Sequence, residues 1–355
     1  MKMELKALVG FLLWSAATAV ADLTGIPTVP FKETGGHIDI SSLRSITVDA
    51  KHCEARDHDG TTLIPPTLQE FAQTFSDDLK ENTGKHVKVN TGDGCDKHGI
   101  FITLGNSSEF VDVAGRWTSE AYSLDVTDDG ITIIGASPLG AWWGTRSVLQ
   151  QAALNDGKIP AGSGTDAPGW GTRGIMVRAS CSQSSDSAND SQLDCGRHYY
   201  PAEFIVELCS WQSYWKQNIF HFHLSDNLYN NPNYTYEQQM DLYARFRLWS
   251  DDPRVAGLNK HRNESYTRED FDYIQSACAA RGVTVIPEIE SPGHALVISQ
   301  WKPELGLSDA LDLLNISYPD TIPTVEKIWD VFLPWFQSKV VEIGADEYSD
   351  SSLSA

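Results

Sequence analysis

Two carboxylates stand side by side near the end of the chain, Asp346 and Glu347, directly after the mostly apolar run Val340 to Ile343. Neighbours on a strand point to opposite faces, but at a strand end the backbone can turn and bring both into one cleft. Two carboxylates held close cannot both ionise cheaply, so one pKa rises and an acid stands beside a base. Glycoside hydrolysis needs such an acid, to protonate the leaving oxygen. A lone Asp-Glu pair is usually solvated, so the reading depends on what surrounds it. His221-Phe222-His223-Leu224-Ser225-Asp226 places two histidines on one face of a strand, with a carboxylate at its end. That spacing fits a pair of hydrogen-bonded core histidines or two zinc ligands. Ile286 to His294 adds a Pro- and Gly-rich strand exit carrying Glu288, Glu290 and His294, where a histidine–carboxylate network would tune Glu347.

The elements that must position these groups alternate. From Trp170 the sequence predicts strands at 173–177, 218–224, 283–289 and 340–343. Helices fall between them at 201–217, 267–281 and 323–337. Phe204, Leu208, Trp211 and Trp215 share one face of the first. Thr267 caps the second and Gly282 stops it, while Pro334 breaks the third late. Strands apolar on both faces, separated by helices, predict a parallel sheet with covering helices. The polar groups gather at the C-terminal strand ends, where (β/α)8 barrels carry their active sites. A doubly wound sheet is the alternative, but no Gly-rich phosphate turn follows the first strand.

Residues 22–155 read as a separate α+β domain, a mostly antiparallel sheet with helices on one face. Strands are expected at 45–49, 87–89, 100–104, 122–126 and 131–134, the last two joined by the hairpin turn Thr127-Asp128-Asp129-Gly130. Leu68, Phe71, Phe75 and Leu79 mark one helix, and Ser137-Pro138 opens another. The stretch 156–171, rich in Gly, Pro and Ser, reads as an interdomain linker before the second domain, 172–355.

The 355 residues are 41% hydrophobic and 10% aromatic, as in globular proteins with real cores. The net charge of −21 disfavours nucleic acid as a partner. Residues 1–21 resemble a secretory signal, with Lys2 and Lys6 before an apolar run and Ala19-Val20-Ala21 as the cleavage site. Sequons at Asn106, Asn189, Asn233, Asn263 and Asn315 fit export, and no later stretch is apolar enough to cross a bilayer. Among the cysteines, Cys53 and Cys95 are a candidate disulfide, Cys181 and Cys195 flank a polar loop, and Cys209 and Cys278 read as buried thiols.

Taken together these motifs resemble glycoside hydrolase family 20, the β-N-acetylhexosaminidases. The family's Gly-x-Asp-Glu is similar to Gly344 to Glu347, and its His-x-His-Leu-x-Asp to His221 to Asp226. Its Pro-Glu-Ile-Asp-x-Pro-Gly-His is similar to Pro287 to His294, with Glu290 in place of Asp, and its strand-one Arg-Gly to Arg173-Gly174. The resemblance implies a barrel preceded by a small α+β domain, no cofactor or metal, and a carbohydrate substrate. It implies substrate-assisted retention, in which the sugar's own acetamido oxygen attacks the anomeric carbon. Glu347 would be the general acid and then base, and Asp346 would hold the acetamido N–H. Arg173 and His223 would contact substrate, and Asp226 and His294 would relay to Glu347.

The chain departs from that pattern in three places. Residues 178–192 interrupt strand one before the motif resumes at Leu193-Asp194-Cys195-Gly196-Arg197-His198. They read as an intron translated in frame or as a surface loop; a mature message that keeps these codons excludes the first. After Asp226, Asn227 to Asn231 replaces the family's Asp-Gln-Gly-Trp, so the leaving-group side of the pocket is expected to differ. Only four of eight barrel strands are found, so the 355-residue polypeptide made alone is expected to be inactive or insoluble; turnover abolished by Glu347→Gln would refute that.

Overall fold

The computed structural model describes residues 31–348 apart from 95, 177–193 and 232. The signal segment 1–21, Cys95, Cys181, the Asn189 sequon and the insertion 178–192 lie outside the described residues. The first layer is a seven-stranded sheet in the order β1-β7-β5-β6-β4-β2-β3. Its strands are β1 (Phe31–Asp39), β2 (Ser45–Asp49), β3 (Lys88–Gly92), β4 (Gly99–Leu104), β5 (Tyr122–Thr127), β6 (Gly130–Gly135) and β7 (Lys158–Asp166). The β5–β6 hairpin closes where expected, with Thr127 opposite Gly130. The sheet is mixed, not mostly antiparallel, because β6, β4, β2 and β3 run parallel to one another.

Local chemistry accounts for the two helices packed on it. Thr67 starts α1 (Leu68–Thr83) with a capping box to Glu70, and Gly84 ends it in the left-handed conformation. Ser137 caps α2 (Pro138–Leu154), with Pro138 at its first position. Phe71 stacks on Trp142, their ring centroids 5.0 Å apart, in a core that includes Phe75, Leu79, Ile100 and Ile133.

The predicted linker 156–171 is largely a strand. β7 lies between β1 and β5 and buries Ile159 and Ala161, so the first domain runs on to Asp166. The two domains are docked face to face. Asp78 on α1 receives both Arg146 on α2 and Arg281 of the second domain. Trp142 donates its indole N–H to the Arg281 carbonyl at 2.8 Å, and Lys216 reaches Asp166 at 2.9 Å.

The second domain opens with β8 (Gly174–Met176), α3 (Ala202–Tyr214) and β9 (Ile219–His223). Then follow β10 (Ser225–Asn227), α4 (Tyr236–Met240), β11 (Ala244–Phe246), α5 (Arg268–Ala279) and β12 (Thr284–Glu288). It continues through α6 (Leu296–Trp301), the hairpin β13 (Gly306–Leu307) and β14 (Ala310–Leu314), and α7 (Thr321–Phe332). β8, β9 and β12 form a parallel sheet with β9 in the centre. Residues 340–343 are not a full strand. They pair in parallel with β12 through one bridge, Glu288 opposite Glu342, and continue past it with Ile289 N–H on the Glu342 carbonyl and Ser291 N–H on that of Ile343.

The apolar face of α3 read from sequence is not its buried one. Phe204, Trp211 and Trp215 are exposed, and Ala202, Ile205 and Cys209 face the core instead. Cys209 and Cys278, expected as thiols, form a disulfide joining α3 to α5 across 69 residues. Closing a loop of that length constrains the unfolded chain by about 4 kcal/mol. Replacing both cysteines by Ala is therefore expected to lower the urea midpoint by an amount equivalent to about 2–4 kcal/mol. An unchanged midpoint would show that the crosslink does not contribute.

Candidate active site

The site is built on three neighbouring strand ends. β9 delivers His221 and His223 on one face and leads into Asp226; β12 delivers Glu288 and leads into Glu290 and His294; residues 340–343 lead into Asp346 and Glu347. Parallel pairing sets His223 directly opposite Glu288. The Glu288 carboxylate consequently meets both histidines. It lies 2.6 Å from His223 Nδ1 and 3.2 Å from His221 Nε2. The other ring nitrogen of His223, Nε2, is 2.8 Å from Asp226.

Asp226 is the hub. Fully buried, it accepts from the Asn227 backbone N–H at 2.6 Å and faces His223, His294 Nδ1 at 3.0 Å and Arg197 at 3.0 Å. His294 then extends the chain of contacts outward, with Nε2 3.5 Å from Glu347. Burial opposes ionisation of Asp226, but its bonds to His223 and His294 outweigh that and hold its carboxyl well below the usual range. Burial likewise opposes charge on His223, yet its bonds to Asp226 and Glu288 push it up to about 10. Glu288 is held down to about 2, against its burial, by His221 and His223. His294 is raised, again against burial, by Asp226 and the nearby carboxylates. His223 is thus favoured as a cation between the Glu288 and Asp226 carboxylates.

That result bears on the zinc reading. His223, Glu288 and Glu290 are close enough to hold a cation, as are Asp194, His223 and Asp226, and His294, Asp346 and Glu347. The first two groups require a lone pair from His223, whose nitrogens each face a carboxylate at hydrogen-bond distance. His223 is the hydrogen-bonded core histidine of the two, while His221 Nε2 only approaches Glu288.

The Asp346–Glu347 pair sits on a sharply turned backbone. Gly344, Ala345 and Glu347 all have left-handed φ, at 70°, 65° and 54°. This turn brings the two adjacent carboxylates away from strand geometry and places both beside His294. Glu347 is exposed, with 69% of its side chain accessible.

Arg173, expected at the substrate, is elsewhere. It precedes β8 and so lies at the opposite end of the sheet, where it pairs with Glu120 and donates to the Lys216 and Trp170 carbonyls. The guanidinium at the site is Arg197, which sequence reading passed over as a site residue. Its backbone N–H and side chain both bind Asp194, its Nε donates to the Asn227 carbonyl at 2.8 Å, and its Nη2 meets Asp226. Gly196 is needed there, because a Cβ would stand 2.5 Å from the His223 ring. The resumption of the motif at Asp194-Cys195-Gly196-Arg197-His198 was the available signal.

Two family models match the chain: "Glycosyl hydrolase family 20, domain 2" over residues 42–167 and "Glycosyl hydrolase family 20, catalytic domain" over 190–355. The chain belongs to glycosyl hydrolase family 20. A beta-hexosaminidase of Vibrio furnissii is 28% identical over 172 residues, 44% of this chain and 28% of that protein. A lacto-N-biosidase of Bifidobacterium bifidum is 26% identical over 296 residues, 82% of this chain and 22% of that protein. The chain thus spans less than a third of either relative. Among solved family 20 structures, a mutant Streptomyces plicatus beta-hexosaminidase in complex with product GlcNAc superposes with a TM-score of 0.66 at 19% identity, over 92% of this chain and 59% of that one. The Streptomyces coelicolor beta-N-acetylhexosaminidase gives 0.63 at 20% over 90% and 59%. These likenesses establish the α/β barrel-type catalytic fold preceded by a small domain.

Proposed function

We propose that this family 20 protein hydrolyses terminal β-linked N-acetylhexosaminides, with retention and with the substrate's acetamido group as nucleophile. The observation that carries the reading is the contact chain Asp226–His294–Glu347, set on barrel strand ends beside Asp346. The acetamido oxygen attacks the anomeric carbon as the bond to the leaving oxygen breaks, and Glu347 gives that oxygen its proton. His294, whose bond to Asp226 favours its protonated form, stabilises the carboxylate left on Glu347. Asp346 accepts from the acetamido N–H and stabilises the charge growing on the oxazolinium ring. Glu347 then takes a proton from water, which attacks the anomeric carbon and restores the acetamide. The hydroxyl-binding role first read onto Arg173 passes to Arg197, and His223 acts by holding Asp226 and Glu288. No cofactor enters this scheme.

The substrate-assisted step is tested by comparing a chromogenic N-acetylglucosaminide with the glucoside that has a 2-hydroxyl in place of the acetamide. The full-length protein is expected to turn over the first and leave the second uncleaved. Comparable turnover of both would overturn the reading. A preference for a particular disaccharide would be set by the divergent segment after Asp226, which exposes Tyr229. Export is proposed on the signal-like residues 1–21 and on sequon asparagines 106, 233 and 263, all exposed.

A further inference from the structure

Glu290 is a buried carboxyl of the site that the mechanism above does not use. Its backbone is fixed from two sides: its N–H donates to Ser225 Oγ at 3.0 Å, and the next residue pairs with the Ile343 carbonyl. The side chain is only 1% exposed. One oxygen lies 3.6 Å from His223 Nδ1, beyond hydrogen-bond reach, and the other has no hydrogen-bond partner. That second oxygen rests on Gly344, so close that a Cβ there would stand 1.8 Å from it. Gly344 begins the left-handed turn that delivers Asp346 and Glu347. The family's aspartate at this position is one methylene shorter, so the reach onto Gly344 belongs to the glutamate of this chain.

We propose that Glu290 is a positioning residue for the reaction: held as a neutral carboxylic acid against Gly344, it sets the turn that presents Asp346 and Glu347, and it releases that turn when it ionises. A neutral carboxyl can be buried at modest cost, whereas a carboxylate at this place has no hydrogen bond on the oxygen against Gly344. The groups facing it come from every neighbouring element: Glu288 from its own strand, His223 from β9, His294 from the exit loop and Asp346 from the turn. Burial first, then the charges of Glu288 and Asp346, push it up to about 8 against the pull of the two histidines. For an acid raised in this way the stabilising contribution is full below its ordinary value of 4.5 and is lost as pH rises through about 8. An ionised Glu290 would have to leave its place against Gly344 or repel Asp346, and either displaces the pair.

The inference rests on the proposed glycosidase reading, so its test has an arm that needs no catalysis. Infrared titration of the full-length protein is expected to show one protonated carboxyl persisting at neutral pH, lost with a midpoint near 8, and absent in Glu290→Gln. If no such carboxyl exists, the proposal is overturned whether or not the protein cleaves glycosides. If the band is found but no N-acetylhexosaminide is hydrolysed, it is the glycosidase reading that fails. The second arm is the pH profile of kcat. One unit above a pKa of about 8 roughly a tenth of the acid remains, so wild-type activity is expected to fall about tenfold there, and Glu290→Gln, which cannot ionise, to lose that fall. A Gln variant slowed equally at every pH would mark Glu290 as merely structural and overturn the proposal. Should Gln not fold, Glu290→Asp withdraws the carboxyl from Gly344, and its infrared midpoint is expected to drop. An unmoved midpoint would overturn the proposal as well.

Discussion

Replacing Glu347 by Gln in the full-length protein is expected to lower kcat for a chromogenic N-acetylglucosaminide by about 10²–10⁴-fold, with KM changed far less. Gln keeps the size of the side chain and the approach to His294, but it cannot give up a proton. The loss therefore falls on an interaction made only in the transition state. The size of the effect depends on the leaving group. A nitrophenolate departs without much help, so its cleavage should lose less than that of a natural disaccharide, whose alkoxide needs the proton. Equal losses for both would argue that Glu347 acts on the sugar and not on the leaving oxygen. Undiminished turnover would remove Glu347 from the mechanism altogether.

Replacing Asp226 by Ala is expected to be the most damaging single change to the fold, at about 3–5 kcal/mol, with activity lost alongside. The carboxylate is fully buried and faces His223, His294 and Arg197. Its removal leaves groups that favour positive charge next to one another at a buried position, and uncompensated buried charge is a far larger cost than any exposed ion pair. The pH dependence follows from the directions of the shifts. Asp226, lowered, contributes stability above its ordinary 3.8 that fades as the pH falls toward its depressed value. His223, raised, contributes fully below its ordinary 6.5 and fades as the pH climbs toward about 10. Wild-type urea midpoints should be highest in mildly acidic buffer and decline on both sides, and the variant should lose much of that contrast. A variant within about 1 kcal/mol of wild type would show that the cluster relaxes around the gap.

What could be read from sequence was whatever is specified locally. The caps at Ser137 and Thr267 each lie within a few residues of the backbone groups they satisfy, so those helices begin where expected. The strand-end carboxylates and histidines were legible for a similar reason: parallel strands put their C-terminal ends together, and the residue order names the end. What escaped depends on distant partners. β7 has the composition of a linker, and only its neighbours β1 and β5, far off in the chain, make it a strand. The aromatic stripe of α3 is periodic, but periodicity does not say which side meets the core. Arg173 and Arg197 flank the same strand, and only strand direction decides which one reaches the site. Glu290 was visible as a departure from its family, while its contact with Gly344 depends on how two strand ends lie together.

The docking of the small domain bears on how the molecule comes apart. Asp78 is shared by one arginine from each domain, the Trp142 indole is bonded to the barrel's Arg281, and Lys216 is tied to Asp166 on the outer sheet. Separating the domains would part Asp78 from Arg281 and the buried Lys216 from Asp166. The small domain and the barrel are therefore a single cooperative unit, not beads on a string: one should not melt while the other persists, and neither is a module that can be exchanged by itself.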